Sequence, residues 1–203
     1  NRKEILDNVR VNPKKVNLIY NAIKSPKNDI IIDRSKQILT VGEINEETIL
    51  RKGLDRFLCV AKKMKDISFI HVGKWTDIKG KSSEKAYKLI KSKGTDNITF
   101  LGFVPDDQLI ELYKKSKIYI QLSRHEAFGV SVAEAMSYGC IPIVTDAYAL
   151  PEIVNGHGLI VDSIRDTISK IKMIMNDEIN FPRYNNQFST TKRKECFQKL
   201  LNK

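Results

Sequence analysis

The sequence predicts a doubly wound, Rossmann-like α/β domain with a parallel sheet, on three observations. Short segments rich in Ile and Val recur along the chain, stretches of helical character separate them, and several apolar segments end in glycine or another turn residue. Nearly continuous apolar strands alternating with helices imply a parallel sheet covered on both faces. The 203 residues, 41% of them hydrophobic, can bury one sizeable core and argue against global disorder.

Residues 1–37 differ in character from the rest of the chain. Lys14–Asn21 reads as a short strand after a polar turn, and Ser25–Lys36 is polar, contains Pro26 and reads as a linker. The expected domain spans residues 38–180. Its strands are Ile38–Val41, Ile67–Val72, Ile98–Leu101, Ile118–Gln121, Ile141–Thr145 and Leu159–Val161. Its helices are Thr48–Lys65, Ser83–Lys93, Asp106–Ser116, Val130–Tyr138 and Ser163–Met175. Asp106 and Asp107 suit the positive start of their helix, Gly139 stops Val130–Tyr138, and Ile164, Ile168, Ile171 and Met175 keep a helical spacing. Residues 181–203 end in an amphipathic helix, Ser189–Leu201, capped by Ser189 or Thr190.

Composition narrows the function. There is no run of eighteen apolar residues and no signal-peptide pattern, so a soluble chain is expected. Cys59, Cys140 and Cys196 are too few and too scattered for a disulfide framework or a metal site, and they fit a reducing cytosol. The net charge of +11 has no interleaved aromatics and no helix-turn-helix or zinc signature beside it, so nucleic acid is not an expected partner. Lysines spread over solvated faces, a phosphate site and an anionic lipid surface all remain compatible with that charge.

In open α/β sheets, ligands bind beyond the carboxyl ends of the strands. Val41-Gly42, Val72-Gly73-Lys74, Leu101-Gly102-Phe103 and Leu122-Ser123 fall at that edge. There the stretch "SRHEAFGVSVAEAMSYGCIPIV" places Glu126 in a loop, Phe128-Gly129 before a helix and Glu134 within it, eight residues after Glu126. Amides at a helix start attract phosphate, and glycine lets it approach. A carboxylate can accept two hydrogen bonds from neighbouring hydroxyls, as on a ribose. One carboxylate for a ribose, one for a hexose and amides between them describe a nucleotide-sugar site. Without that context, two glutamates eight apart are solvated surface groups.

The stretch "EAFGVSVAEAMSYGCIPIVTDAYALPEIV" resembles the E-x7-E region of retaining glycosyltransferases with the GT-B fold, glycosyltransferase family 4 in particular. "VNLIYNAI", "ILTVG" with "RKG", and "ITFLGFVPDDQLIELYKKSKIYIQLS" extend the likeness over most of residues 11–162, and the tail from Phe188-Ser189 is similar to the family's last helix. The resemblance implies that Lys52 contacts the donor diphosphate and that Glu126 holds the donor hexose near the reacting carbon. It implies that Phe128, Gly129 and Val130 offer the helix-start backbone, that Glu134 holds the ribose, and that Phe103-Val104 lie along the base. The implied reaction is a retaining transfer from a nucleotide-diphosphate sugar. It needs no metal or other cofactor, since a lysine and a helix N-terminus can stabilise the leaving diphosphate. No D-x-D triplet occurs in the chain.

Two departures bear on the site. Glu43 stands where the family keeps an arginine, so either Arg51 supplies the missing cation or the site is weaker, and the family's glycine pair before P/x-E-I-V is here Tyr148-Ala149. The family's enzymes carry the acceptor site mainly on a first domain, so the chain reads as the donor-binding half of a larger enzyme. Its expected partners are that N-terminal half, the donor, and a lipid-linked acceptor or anionic membrane surface, in the cytoplasm or peripheral at the membrane. A nucleotide-sugar epimerase of the same fold and a non-catalytic nucleotide-sugar-binding domain are the competing readings. His125 can touch a phosphate or simply sit on a surface loop. Glu152 is expected to organise its loop, and Trp75 to cap the site's rim or cover core.

Overall fold

A computed structural model describes residues 2–24, 26, 34–75, 88, 90–92, 95–179, 181, 184 and 186–202. Among them, strands β1 (Ser35–Val41), β2 (Ser68–Val72), β3 (Ile98–Gly102), β4 (Ser116–Gln121), β5 (Ile141–Thr145) and β6 (Leu159–Val161) form one six-stranded sheet. The order is β3-β2-β1-β4-β5-β6 and every pairing is parallel. Helices fully within the described residues are α1 (Arg2–Asn8), α2 (Thr48–Arg51), α3 (Leu54–Lys63), α4 (Asp106–Lys115), α5 (Val130–Ser137), α6 (Leu150–Val154), α7 (Ile164–Met175) and α8 (Thr190–Leu201).

Period-two alternation along the central strands divides the core into two layers. Leu39, Tyr119 and Val144 face α4, α5 and α6, where they meet Tyr113, Val132, Ala133, Met136, Leu150 and Ile153. Ile38, Ile118, Ile120 and Ile143 face the opposite way, toward Phe57, Leu58 and Ala61 of α3 and Ile171 and Ile174 of α7. Helices thus cover both faces, as the apolar strands require. The strand order reverses between β1 and β4, so the crevice above their carboxyl ends is the topological switch point.

Local structure departs from the sequence reading at several points. Lys14–Asn21 is not a strand. Pro13–Lys15 forms a single 3-10 turn, with the Asn12 side chain accepting from the Lys14 amide at 3.0 Å. The chain after it has no strand assignment, and it is tied down where the Ile23 amide donates to the Phe188 carbonyl at 2.9 Å. Most of the linker expected over Ser25–Lys36 lies outside the described residues, and β1 begins at Ser35. The helix expected over Thr48–Lys65 breaks at Gly53, whose φ of 73° ends α2 and starts α3. Leu150–Val154, unassigned from sequence, is helical with Pro151 in its first turn, where proline leaves no donor unmatched. Most of Ser83–Lys93 lies outside the described residues. Ser163 and Ser189 cap α7 and α8 as N-cap residues, accepting from the Asp166 and Lys192 amides. No residue of α8 is buried.

One side chain fastens two helix ends. The Arg34 guanidinium donates to the carbonyls of Tyr113, Lys114 and Ser116 at the end of α4, and to that of Tyr138 at the end of α5. No helix among the described residues is long and apolar enough to cross a membrane.

Candidate functional site

The loop after β4 and the turn between α2 and α3 meet at the switch point. At Gly53 a Cβ would stand 2.0 Å from the Leu122 carbonyl oxygen, so only glycine permits this backbone approach. The Arg51 carbonyl accepts from the Arg124 amide at 2.8 Å, which fixes the same junction. Arg124 then forks onto both carboxylate oxygens of Asp55, at 2.8 and 2.7 Å. Burial raises Asp55, but the Arg124 hydrogen bonds outweigh it and hold the carboxyl below its usual range.

This junction brings together two residues 74 positions apart. Lys52 Nζ lies 2.5 Å from Glu126 Oε2, and the two side chains are 27% and 10% exposed. Such a pair gives the crevice one partly exposed cation and one nearly buried carboxylate. Beyond it, Gly129 takes φ 87° and opens α5 with no side chain capping the first turn. A Cβ there would stand 2.9 Å from Leu150 Cδ2. The first-turn amides of α5 therefore face a position that no side chain of residue 129 blocks. Phe128 points the other way, with its ring edge-on to Phe188 at 5.3 Å and near Tyr20 at 6.2 Å, so it offers backbone and anchors the loop. Val130 is exposed at the helix start.

Glu134 lies one turn further along α5. The Tyr113 hydroxyl donates to its carboxylate at 3.3 Å. Burial raises the Glu134 carboxyl above its usual range, and the Tyr113 hydrogen bond only partly opposes this. The carboxylate lines a cavity of about 280 Å³ with Ile23, Lys24, Asp106, Tyr113 and Tyr138. Lys24 and Asp106 pair at 3.2 Å, both largely exposed.

The remaining predicted residues are dispersed. Arg51 is exposed on α2, and its carbonyl takes part in the junction with the loop after β4. Phe103 is 66% exposed at the end of β3, with Lys74 Nζ 4.9 Å from its ring centre, whereas the side chain of Val104 is buried. Trp75 packs edge-on to Phe100 at 5.9 Å and bridges to Ile44, so it covers core. Glu152 accepts from the Tyr20 hydroxyl and ties α6 to the segment before β1. Glu43 is exposed after β1, and its carbonyl accepts from the Thr48 hydroxyl at 2.7 Å.

Sequence reasoning missed the Tyr113 contact, the Arg124 fork and a pair of rings. Tyr148 stands at φ 53°, in the left-handed region that a bulky side chain enters at a cost of roughly 1–3 kcal/mol. Its ring centre lies 4.0 Å from that of His125. The only signal was Tyr148-Ala149 where the resemblance leads one to expect a glycine pair, and of the two only Tyr148 takes the left-handed backbone, Ala149 having φ −85°.

Residues 22–195 match the family model described as glycosyl transferases group 1. The O-antigen chain mannosyltransferase B of Escherichia coli is 38% identical over 65 residues, 32% of this chain and 17% of that protein. The apo structure of the lipopolysaccharide outer core galactosyltransferase WaaB superposes with a TM-score of 0.76 at 15% identity, covering 99% of this chain and 59% of that one. Anabaena Alr3699/HepE in complex with UDP and glucose gives 0.68 at 17% identity, over 83% of this chain and 48% of that one. The chain thus spans less than two thirds of each of these proteins.

Proposed function

The chain belongs to the glycosyl transferases group 1 family, and on that premise we propose that it is the donor-binding half of a retaining glycosyltransferase of family 4. The observation that carries this reading is the Lys52–Glu126 pair at the switch point, beside the glycine-opened start of α5 and one helical turn from Glu134. A nucleotide-diphosphate sugar suits that sequence of groups. The ribose hydroxyls bond Glu134 at the mouth of the cavity, and the base lies toward the Phe103-Val104 backbone. The diphosphate takes the amides of Gly129 and Val130 and the Lys52 ammonium, with Arg51 as a second cation. Glu126 holds the hexose. That HepE was solved with UDP and glucose supports a donor of this class.

In a retaining transfer the acceptor attacks the face from which the nucleoside diphosphate leaves. As the sugar–phosphate bond breaks, charge grows on the diphosphate. Lys52 and the α5 amides already stand where that charge develops, so they stabilise it without reorganisation and without a metal. A lipid- or glycan-linked acceptor would come from an N-terminal half. The excess of basic residues suits a cytoplasmic enzyme peripheral to anionic lipid.

Calorimetric titration with UDP, GDP and ADP and their hexose derivatives tests the reading. One nucleoside diphosphate should bind to this chain, while labelled sugar should pass to an acceptor only when the N-terminal half is present. Failure of all three to bind would overturn the assignment, and transfer by these 203 residues alone would overturn the two-domain division.

A further inference from the structure

We propose that the Tyr148 ring, braced by His125, is the wall that selects the donor's pyranosyl group. This rests on the assignment of a nucleotide-sugar donor to the switch point. Three non-glycine residues among those described have positive φ: Tyr148, Asn155 and Asp177. Asn and Asp tolerate that backbone, but an aromatic residue does not enter it readily.

Core packing does not repay the strain, because Tyr148 is 53% exposed. Its neighbours Ala147 and Ala149 are both buried, and the turn is closed by the Leu150 amide donating to the Ala147 carbonyl at 3.1 Å. The ring is therefore held out over the surface by a fixed backbone. Strain kept at an exposed position is a mark of a functional constraint.

The position identifies the occupant. Tyr148 lies in the loop between β5 and α6, and that loop packs on the one bearing Glu126. The Thr145 hydroxyl donates to the Ser123 carbonyl at 2.5 Å. The Cβ position at Gly129 lies 2.9 Å from Leu150 Cδ2 and 3.7 Å from Glu126 Cγ. His125, directly before Glu126, stands against the Tyr148 ring at 4.0 Å, inclined by 53°. The two rings thus border the side of the site where Glu126 is placed to hold hydroxyls. A pyranose has what such a border recognises: a C–H face for the ring and hydroxyls for the carboxylate and imidazole. On this placement the Tyr148 ring acts on the hexose rather than on the diphosphate.

The test measures affinities for the matching nucleoside diphosphate and for its glucose, galactose and mannose derivatives, in the wild type, Tyr148→Gly, Tyr148→Phe and His125→Ala. Glycine relieves the backbone, so Tyr148→Gly is expected to fold with unchanged or raised Tm. It should weaken nucleotide-sugar binding about three- to tenfold more than nucleoside diphosphate binding, the scale of one lost aromatic contact, and blunt the preference among hexoses. Tyr148→Phe should keep both, and His125→Ala should give a smaller loss of the same kind. If the diphosphate binds and Tyr148→Gly changes diphosphate and sugar nucleotide equally, or neither, the wall is refuted while the donor site stands. Equal losses in the Gly and Phe variants refute the role of the ring face. If no nucleoside diphosphate binds the wild type, both readings fall.

Discussion

Replacing Glu126 by Gln tests the division of labour at the switch point. In the ligand-free chain the Lys52 ammonium sits 2.5 Å from a carboxylate that is only 10% exposed. On the proposed donor assignment, an incoming diphosphate must draw that ammonium away or share it. Two unit charges about 4 Å apart interact by about 4 kcal/mol at an effective dielectric of about 20, whereas exposed pairs measure only about 0.2–1 kcal/mol. With Lys52 27% exposed, the pair lies between these limits but nearer the lower, at roughly 1 kcal/mol. Glutamine keeps the shape and drops the charge. Glu126→Gln should therefore bind the bare nucleoside diphosphate about three- to tenfold more tightly. The gain should be larger at about 20 mM salt than at about 300 mM, where the Debye length shortens. The same variant should bind the nucleotide sugar no better than the wild type, because the hexose loses its carboxylate. Titration calorimetry of both ligands at the two salt concentrations decides it. A bare-diphosphate affinity that is unchanged or weaker would show that Glu126 does not restrain Lys52.

Lys52→Ala should weaken nucleoside diphosphate binding more than nucleoside binding, with a loss that shrinks as salt rises and a smaller effect of the same kind for Arg51→Ala; equal losses for both ligands would remove Lys52 from the site. Glu134→Ala should cost the nucleoside diphosphate about 1.5–3 kcal/mol of binding, read by calorimetry in the folded variant. Because burial raises the Glu134 carboxyl, its contribution to stability is present at low pH and fades as pH rises through the folded value. Glu134→Gln should then be the more stable protein near neutrality, with the difference shrinking on acidification; parallel Tm–pH curves would refute this. His71 is lowered by burial from 6.5 to about 4, and its Nδ1 has no hydrogen-bond partner. The stability of its neutral form is present above about 6.5 and lost as pH falls toward 4, on the order of 3 kcal/mol. His71→Phe, facing Phe57 and Phe100, should flatten that fall in urea titrations, and an unchanged slope would clear His71 of the role.

What could be read in the sequence was whatever repeats locally. Ile118, Ile120 and Ile143 announce buried strands because a parallel sheet covered on both faces leaves no polar side. Leu150–Val154 escaped because Pro151 signals a break, yet at a helix start it signals the reverse. Lys14–Asn21 misled because apolar residues beside a chain that never joins the sheet have the same composition as a strand. At the site, residue types were legible and partners were not. Lys52 and Glu126 could each be singled out, but their contact depends on Gly53 meeting the Leu122 carbonyl, a long-range backbone fit. The Glu134 cavity gathers residues from 22 to 138, which no local pattern encodes. The left-handed turn at Tyr148 is invisible in the identity of a tyrosine.

The reach of Arg34 sets what a pH titration of this protein can report. Its guanidinium holds the last carbonyls of two helices, and two of those carbonyls belong to Tyr113 and Tyr138, whose side chains line the cavity beside Glu134. An arginine stays charged at every pH a protein survives, so this fastening is blind to acidity, and a lysine could not span it with one compact ammonium. The Glu134 carboxylate titrates while the guanidinium that fastens the helix ends keeps its charge. Acid can therefore protonate Glu134 without releasing the Arg34 contacts that hold the two helix ends beside it.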